Sequence, residues 1–142
     1  MSVLRLAIPS PLRRHFDYLP PSGMSAEDIG ALQSGVRLRV PFGRREVTGY
    51  LLAVCAESAM PLNSLKPVLE ILDQSPLIDP QLLQLCHWAA DYYHHPLGDV
   101  YSNLFPRRLR EGKPHSSLGT PGWQLTVRGK GLEAEMDRRF LR

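Results

Sequence analysis

GVRLRVPFGRREVTGYLLAV, residues 35–54, is the stretch on which the reading of the chain turns. Val36, Leu38 and Val40 alternate with Arg37 and Arg39. Beyond a break, Val47, Gly49, Leu51 and Ala53 alternate with Thr48, Tyr50, Leu52 and Val54. A period of two in β-branched and aromatic residues is the mark of a strand. Pro41-Phe42-Gly43 bends the chain between the two runs, since Pro fixes φ and Gly accepts φ > 0. The stretch therefore predicts a hairpin with outward-facing arginines and a solvated tip at Arg44, Arg45 and Glu46. A glycine at the bend leaves room for a ligand to approach the backbone closely.

Working outward, residues 3–8 read as a first strand with Leu4, Leu6 and Ile8 on one face, ended by Pro9 and Pro11. His15-Phe16-Asp17-Tyr18-Leu19 reads as a second, stopped by Pro20-Pro21. Asp is disfavoured in strands, and Asp17 stands between two aromatic residues. Broken local rules concentrate at functional sites, although Asp17 could equally cap a turn or pair with an arginine. Ser25 caps a short helical turn over residues 25–32, with Asp28 three residues on. Residues 65–72 read as one more strand, with Pro67 at its start or edge. Residues 1–74 are thus mostly strands and short turns, which predicts a small β-barrel or curled sheet.

The pattern changes at Ser75-Pro76. Asp79 is an N-cap residue, and Pro80 suits the first helical position. Leu82, Cys86, Ala89 and Tyr93 then recur at helical spacing. A second helix is expected over residues 98–104, stopped by Pro106. The fold class is therefore mainly β with α, a small β-barrel followed by a short helical segment over residues 75–106. Residues 107–122 read as a linker. In residues 123–142, Leu132, Met136 and Phe140 form a stripe that reads as the start of another domain.

Composition narrows the function classes. The chain has 142 residues with 43% hydrophobic content, enough for a packed core. The net charge of +3 leans weakly toward a polyanionic partner. The 2 cysteines, Cys55 and Cys86, have no metal-site spacing and suit a reducing, cytoplasmic setting. No apolar run approaches membrane-spanning length, so no membrane partner is expected. Gly129-Lys130-Gly131 resembles the tail of a phosphate loop but fails, with Gln124 at the required glycine and Gly131 at the required Ser or Thr. No catalytic constellation is visible, and no catalytic residue is assigned. His87, Asp91 and His94 share one helix face and are types that ligate metals. Without a fourth ligand they fit a helix C-terminus better, and no metal site is assigned. A binding surface remains: Phe16 and Tyr18 as stacking faces, Gly43 as open backbone, and Arg37, Arg39, Arg44 and Lys66 as positive charge. Aromatic residues with bases on a small β-fold suit single-stranded nucleic acid. There, Asp17 makes sense against a base edge rather than a phosphate.

Four segments together become specific: IPSPLRRHFDYLPP, RVPFGRREVTGYL, LKPVLEILDQSPLI and LCHWAADYYHHPLGDVYSNLFP. In that order they resemble the N-terminal module of the primosomal protein N′ (PriA) family of bacterial replication-restart helicases. The resemblance runs from Met1 to about Pro106. It implies a module that binds the 3′-OH end of the nascent leading strand at a stalled fork, with DNA as partner. It implies a pocket formed by Phe16, Asp17, Tyr18, Gly43 and Lys66. Asp17 would contact the base, Gly43 and the backbone near Tyr18 the terminal sugar, and Lys66 the sugar-phosphate side. Residues 25–34 are longer than the family usually has there. The family continues through a winged helix, which residues 123–142 would open, and through helicase lobes and a zinc region. ATP and zinc therefore belong to those parts, and no cofactor is expected for residues 1–142. Single-stranded DNA-binding protein and other primosome proteins are further expected partners. Two other readings stand beside this one. The helical face from Leu82 to Phe105 could dock replication proteins, or His87, Asp91 and His94 could serve a metal-dependent hydrolase.

Overall fold

The computed structural model describes residues 2–115. The order of elements is β1 (Val3–Ala7), β2 (Phe16–Tyr18), α1 (Ala26–Gly30), β3 (Arg37–Phe42), β4 (Arg45–Cys55), β5 (Glu70–Ile71), α2 (Pro80–Tyr92), α3 (Leu97–Leu104) and α4 (Arg107–Arg110). The strands form one antiparallel sheet in the order β2-β1-β4-β3-β5. The expected hairpin is its centre. Long β4 pairs with β3 from Arg37↔Tyr50 to Phe42↔Arg45, and with β1 on its other side. Pro41 and Phe42 remain in register as strand residues, so the bend itself is Gly43-Arg44. Gly43 has φ +64°, and Arg44 keeps a negative φ, the pattern of a two-residue II′-type turn that needs Gly first.

The sheet curls but does not close into a barrel. After β2, Leu19 meets Pro67 in a single parallel bridge. Its N–H donates to the Lys66 carbonyl at 2.9 Å, and its own carbonyl accepts from Val68 N at 2.9 Å. Only residues 70–71 of the strand expected over residues 65–72 pair as a strand, because residues 66–68 turn aside to bridge the opposite edge. The mainly-β part with appended helices stands as expected, with an open five-stranded sheet in place of the closed one.

Two clusters of apolar side chains hold the fold. Leu4, Leu6, Ile8, Tyr18, Val36, Leu38, Val40, Leu51 and Val68 fill the concave side of the sheet. On the other side, Ala7 and Tyr50 pack against Ile78, Cys86, Tyr101 and Phe105 from the helical segment. Tyr50 stacks on Tyr101 at 5.5 Å and on Phe105 at 5.4 Å between centroids. The sheet is therefore covered on both faces where β4 crosses it, and this overturns one expectation. Arg37 does not face outward. It is fully buried among the helices, and its guanidinium takes both oxygens of buried Asp73, Nε to Oδ2 at 2.8 Å and Nη2 to Oδ1 at 2.7 Å. Its Nη1 donates to the carbonyls of Leu109 at 2.6 Å and Lys113 at 3.2 Å. Arg39 is half-buried and pairs with Glu70 at 3.0 Å. Of the hairpin arginines, Arg44 and Arg45 at the tip are exposed.

The helices start as their sequences dictate. Ser25 Oγ accepts from Asp28 N at 3.1 Å, and Asp79 Oδ1 accepts from Leu82 N at 2.9 Å. Left-handed His94, at φ 54°, ends α2 just before Pro96. The linker expected over residues 107–122 begins instead with α4, tied down by the Arg37 bonds to Leu109 and Lys113. Residues 116–122 of that linker, and the domain start over residues 123–142, lie outside the described residues. Among the described residues no helix is long and apolar enough to cross a membrane.

Candidate nucleic-acid interface

Strand β2 draws the expected site residues to one end of the sheet. Phe16 packs edge-on against Phe42 at 5.2 Å, and Tyr18 Oη donates to the Pro41 carbonyl at 3.1 Å. Both contacts hold β2 against the hairpin tip that carries Gly43. The next residue, Leu19, is bonded to the backbone of Lys66. Thus Phe16, Tyr18, Gly43 and Lys66 share one neighbourhood because an edge strand touches two loops. A Cβ built on Gly43 meets nothing within 4 Å, and the Lys66 side chain is exposed.

Two roles change on inspection. Tyr18 offers no stacking face, since its ring lies in the concave core at 6% exposure with its hydroxyl already bonded. It can present only backbone. Phe16 is half-buried, and Arg14 covers its ring at 4.9 Å from the guanidinium carbon to the centroid. Asp17 points to the opposite face from its two neighbours, as strand alternation requires.

There, Asp17 faces Arg5, its direct cross-strand partner. Arg5 Nε donates to Oδ1 at 2.9 Å and Nη2 to Oδ2 at 3.2 Å. Ser58 Oγ adds a third bond to Oδ2 at 2.7 Å. The Arg5 hydrogen bond holds the Asp17 carboxyl below the usual carboxylate range, against burial that pushes it up, and Ser58 assists. An ionised carboxylate accepts about four hydrogen bonds, so one acceptor position remains beside the three used. Asp17 is therefore a fixed, ionised acceptor with its charge balanced by Arg5. The arginine alternative for Asp17 is realised, in a side chain 8% exposed whose fourth acceptor position has no partner among the described residues. Sequence reading missed Arg5 and Ser58. An Arg in β1 opposite an Asp in β2 is a cross-strand charge pair, and that was the available signal.

His87, the histidine of α2, meets Tyr101. His87 Nε2 lies 3.2 Å from Tyr101 Oη, and the two rings meet edge to face. Burial pushes the Tyr101 hydroxyl up to about 12, so it stays protonated at neutral pH. No group of three or more His, Cys, Asp or Glu among the described residues is placed to hold a metal ion.

Residues 5–106 match the family model described as the 3′DNA-binding domain (3′BD) of PriA. The chain belongs to that family. Match and structure coincide, since the matched span runs from β1 through the end of α3. Replication restart protein PriA of Haemophilus influenzae is 36% identical over 130 residues, 92% of this chain and 17% of that protein. Its counterpart in Bacillus subtilis is 35% identical over 78 residues, 55% of this chain and 9% of that protein. The PriA of Buchnera aphidicola from Acyrthosiphon pisum is 23% identical over 139 residues, 98% of this chain and 18% of that protein. The chain thus spans less than a fifth of the length of these relatives. As a 3′BD it is a DNA-binding domain, and the five site residues all fall inside the matched span.

Proposed function

We propose that this chain reads the 3′-OH end of the nascent leading strand at stalled replication forks, as the DNA-binding part of a restart helicase. One observation carries the reading: β2 holds Asp17 as a fixed acceptor on one face, while its neighbours Phe16, Tyr18 and Leu19 dock beside the open glycine turn at Gly43 and on the backbone of exposed Lys66. In this reading the free lone pair of Asp17 accepts from an amino or imino group of the terminal base. Gly43 and the backbone at Tyr18 lie against the terminal sugar, where a further nucleotide would clash. Lys66 serves the phosphate side, and Phe16 walls the pocket. In this reading ATP-driven unwinding and zinc binding are work of the family's helicase part, and single-stranded DNA-binding protein and other primosome proteins are further partners.

Two substitutions separate base contact from phosphate contact. Asp17→Ala is expected to weaken binding of a short oligonucleotide by about 1–3 kcal/mol, the range for a hydrogen bond to a charged group. That loss should hardly change with salt. Lys66→Ala should weaken binding to all sequences and reduce the slope of log affinity against log salt by about 0.7, one single-strand phosphate. Titrations over a salt series measure both. An unchanged slope for Lys66→Ala would remove Lys66 from the phosphate.

A further inference from the structure

A cleft of about 200 Å³ opens between the β1–β2 loop and α2. Arg13, Arg14 and His15 line one wall, and His87, Asp91 and His95 the other. Arg13 and Arg14 are exposed and make no ion pair among the described residues. The cleft is smaller than the roughly 300–1,000 Å³ that enclose a drug-sized ligand, so it fits a phosphodiester rather than a whole nucleotide. Arg14 links it to the site above, because its guanidinium covers Phe16. Asp91 is the single carboxylate in the lining, against two guanidinium groups.

A second feature lies on the same helix as the His87–Asp91 wall. Trp88 and Tyr92 stand one helical turn apart on α2, 54% and 65% exposed, and stack on each other at 5.0 Å with 18° between planes. Trp88 is three residues from Asp91, and residues at that spacing are neighbours on a helix surface. An exposed aromatic pair beside a basic cleft is the combination that holds single-stranded nucleic acid, bases on the rings and backbone along the charges.

We propose that the Arg13–Arg14 cleft and the Trp88–Tyr92 pair form a second DNA contact, which takes a phosphate and a base of the strand beyond its last two nucleotides. The proposal rests on the 3′-end reading and extends it along the same strand. Arg14 would sit between the two sites and fix the spacing from the end.

The test compares a dinucleotide and a longer single-stranded oligonucleotide, both with a free 3′-OH, on the whole chain. The longer strand should bind more tightly. Arg13→Ala should reduce its salt slope by about 0.7 and leave the dinucleotide unaffected. Trp88→Ala should weaken the longer strand about tenfold, within the range for one base–aromatic stack, with the slope unchanged. Both side chains are exposed, so neither change should disturb folding. Equal affinity of wild type for the two oligonucleotides would overturn the proposal. So would a longer strand bound equally well by wild type and both variants, which would hand the aromatic face to a protein partner. Failure of the dinucleotide alone to bind would count against the terminal pocket, and the two variants would still decide the cleft.

Discussion

Asp73→Ala is expected to cost about 3–5 kcal/mol of folding stability, because it strands a buried guanidinium. Arg37 is fully inaccessible, and the Asp73 side chain is 4% exposed. Besides the two guanidinium bonds, Asp73 Oδ2 accepts from the backbone N–H of Arg37 at 3.1 Å. Without the carboxylate, the guanidinium keeps only the two carbonyls of the α4 region as partners. Domains of this size are stable by roughly 5–15 kcal/mol, so the loss would take a large share. The double change Arg37→Met with Asp73→Ala should cost less than Asp73→Ala alone, since no charge is left buried. It would still release α4, because the bonds to Leu109 and Lys113 go with Arg37. Urea unfolding of the three proteins gives the comparison. A single variant within about 0.5 kcal/mol of wild type, the range of surface changes, would mean that the pair is hydrated in solution.

Gly98→Ala is the second large effect, and its sign opposes helix propensity. Gly98 lies in the first turn of α3, where alanine would ordinarily gain up to about 1 kcal/mol. Here a Cβ would collide with the carbonyl carbon and oxygen of Ile8 and lie 2.8 Å from its nitrogen. These are backbone atoms of the segment leaving β1, and they cannot rotate away. Helix α3 would have to lift from the sheet and take Tyr101 and Phe105 away from Tyr50. Overpacking of this kind costs about 1–3 kcal/mol, occasionally more, and the upper part of that range is expected. Gly30→Ala supplies the control, since Gly30 is also helical and its added methyl meets nothing within 4 Å. That variant should be neutral or slightly stabilised. Thermal melting of the pair decides: equal midpoints would contradict the close approach of α3 to β1.

These two positions mark where the sequence stops speaking. The hairpin was legible because alternation and a glycine turn are local signals, and α2 because Asp79-Pro80 opens it. Arg37 was misread because alternation separates two faces without saying which one meets water. With helices on one side and a curled sheet on the other, β3 has no solvated face at Arg37, and its guanidinium is satisfied by groups far along the chain, Asp73 and the carbonyls of Leu109 and Lys113. Gly98 carries no local sign, since its need arises from the path of β1. At the candidate site, the misplaced Asp17 was visible, and the proximity of Phe16 and Tyr18 to the Gly43 turn was not. That proximity comes from Tyr18 and Phe16 docking on Pro41 and Phe42, a tertiary contact of two loops and an edge strand. The reach of β2 to Lys66 was equally hidden, because it uses backbone bonds outside any regular ladder.

The reading of this domain as a detector of free 3′ ends comes down to one comparison. Two oligonucleotides of the same sequence, one ending in 3′-OH and one in 3′-phosphate, are titrated against the chain at several salt concentrations. A pocket that closes on the terminal sugar at Gly43 must reject the phosphate on steric grounds, since Arg5 already balances most of the Asp17 charge. The 3′-OH strand should therefore bind more tightly at every salt concentration, and Asp17→Ala should narrow the difference by weakening the 3′-OH strand most. Equal affinity for the two ends, unchanged in Asp17→Ala, would contradict the account and leave only electrostatic attraction between a basic domain and DNA.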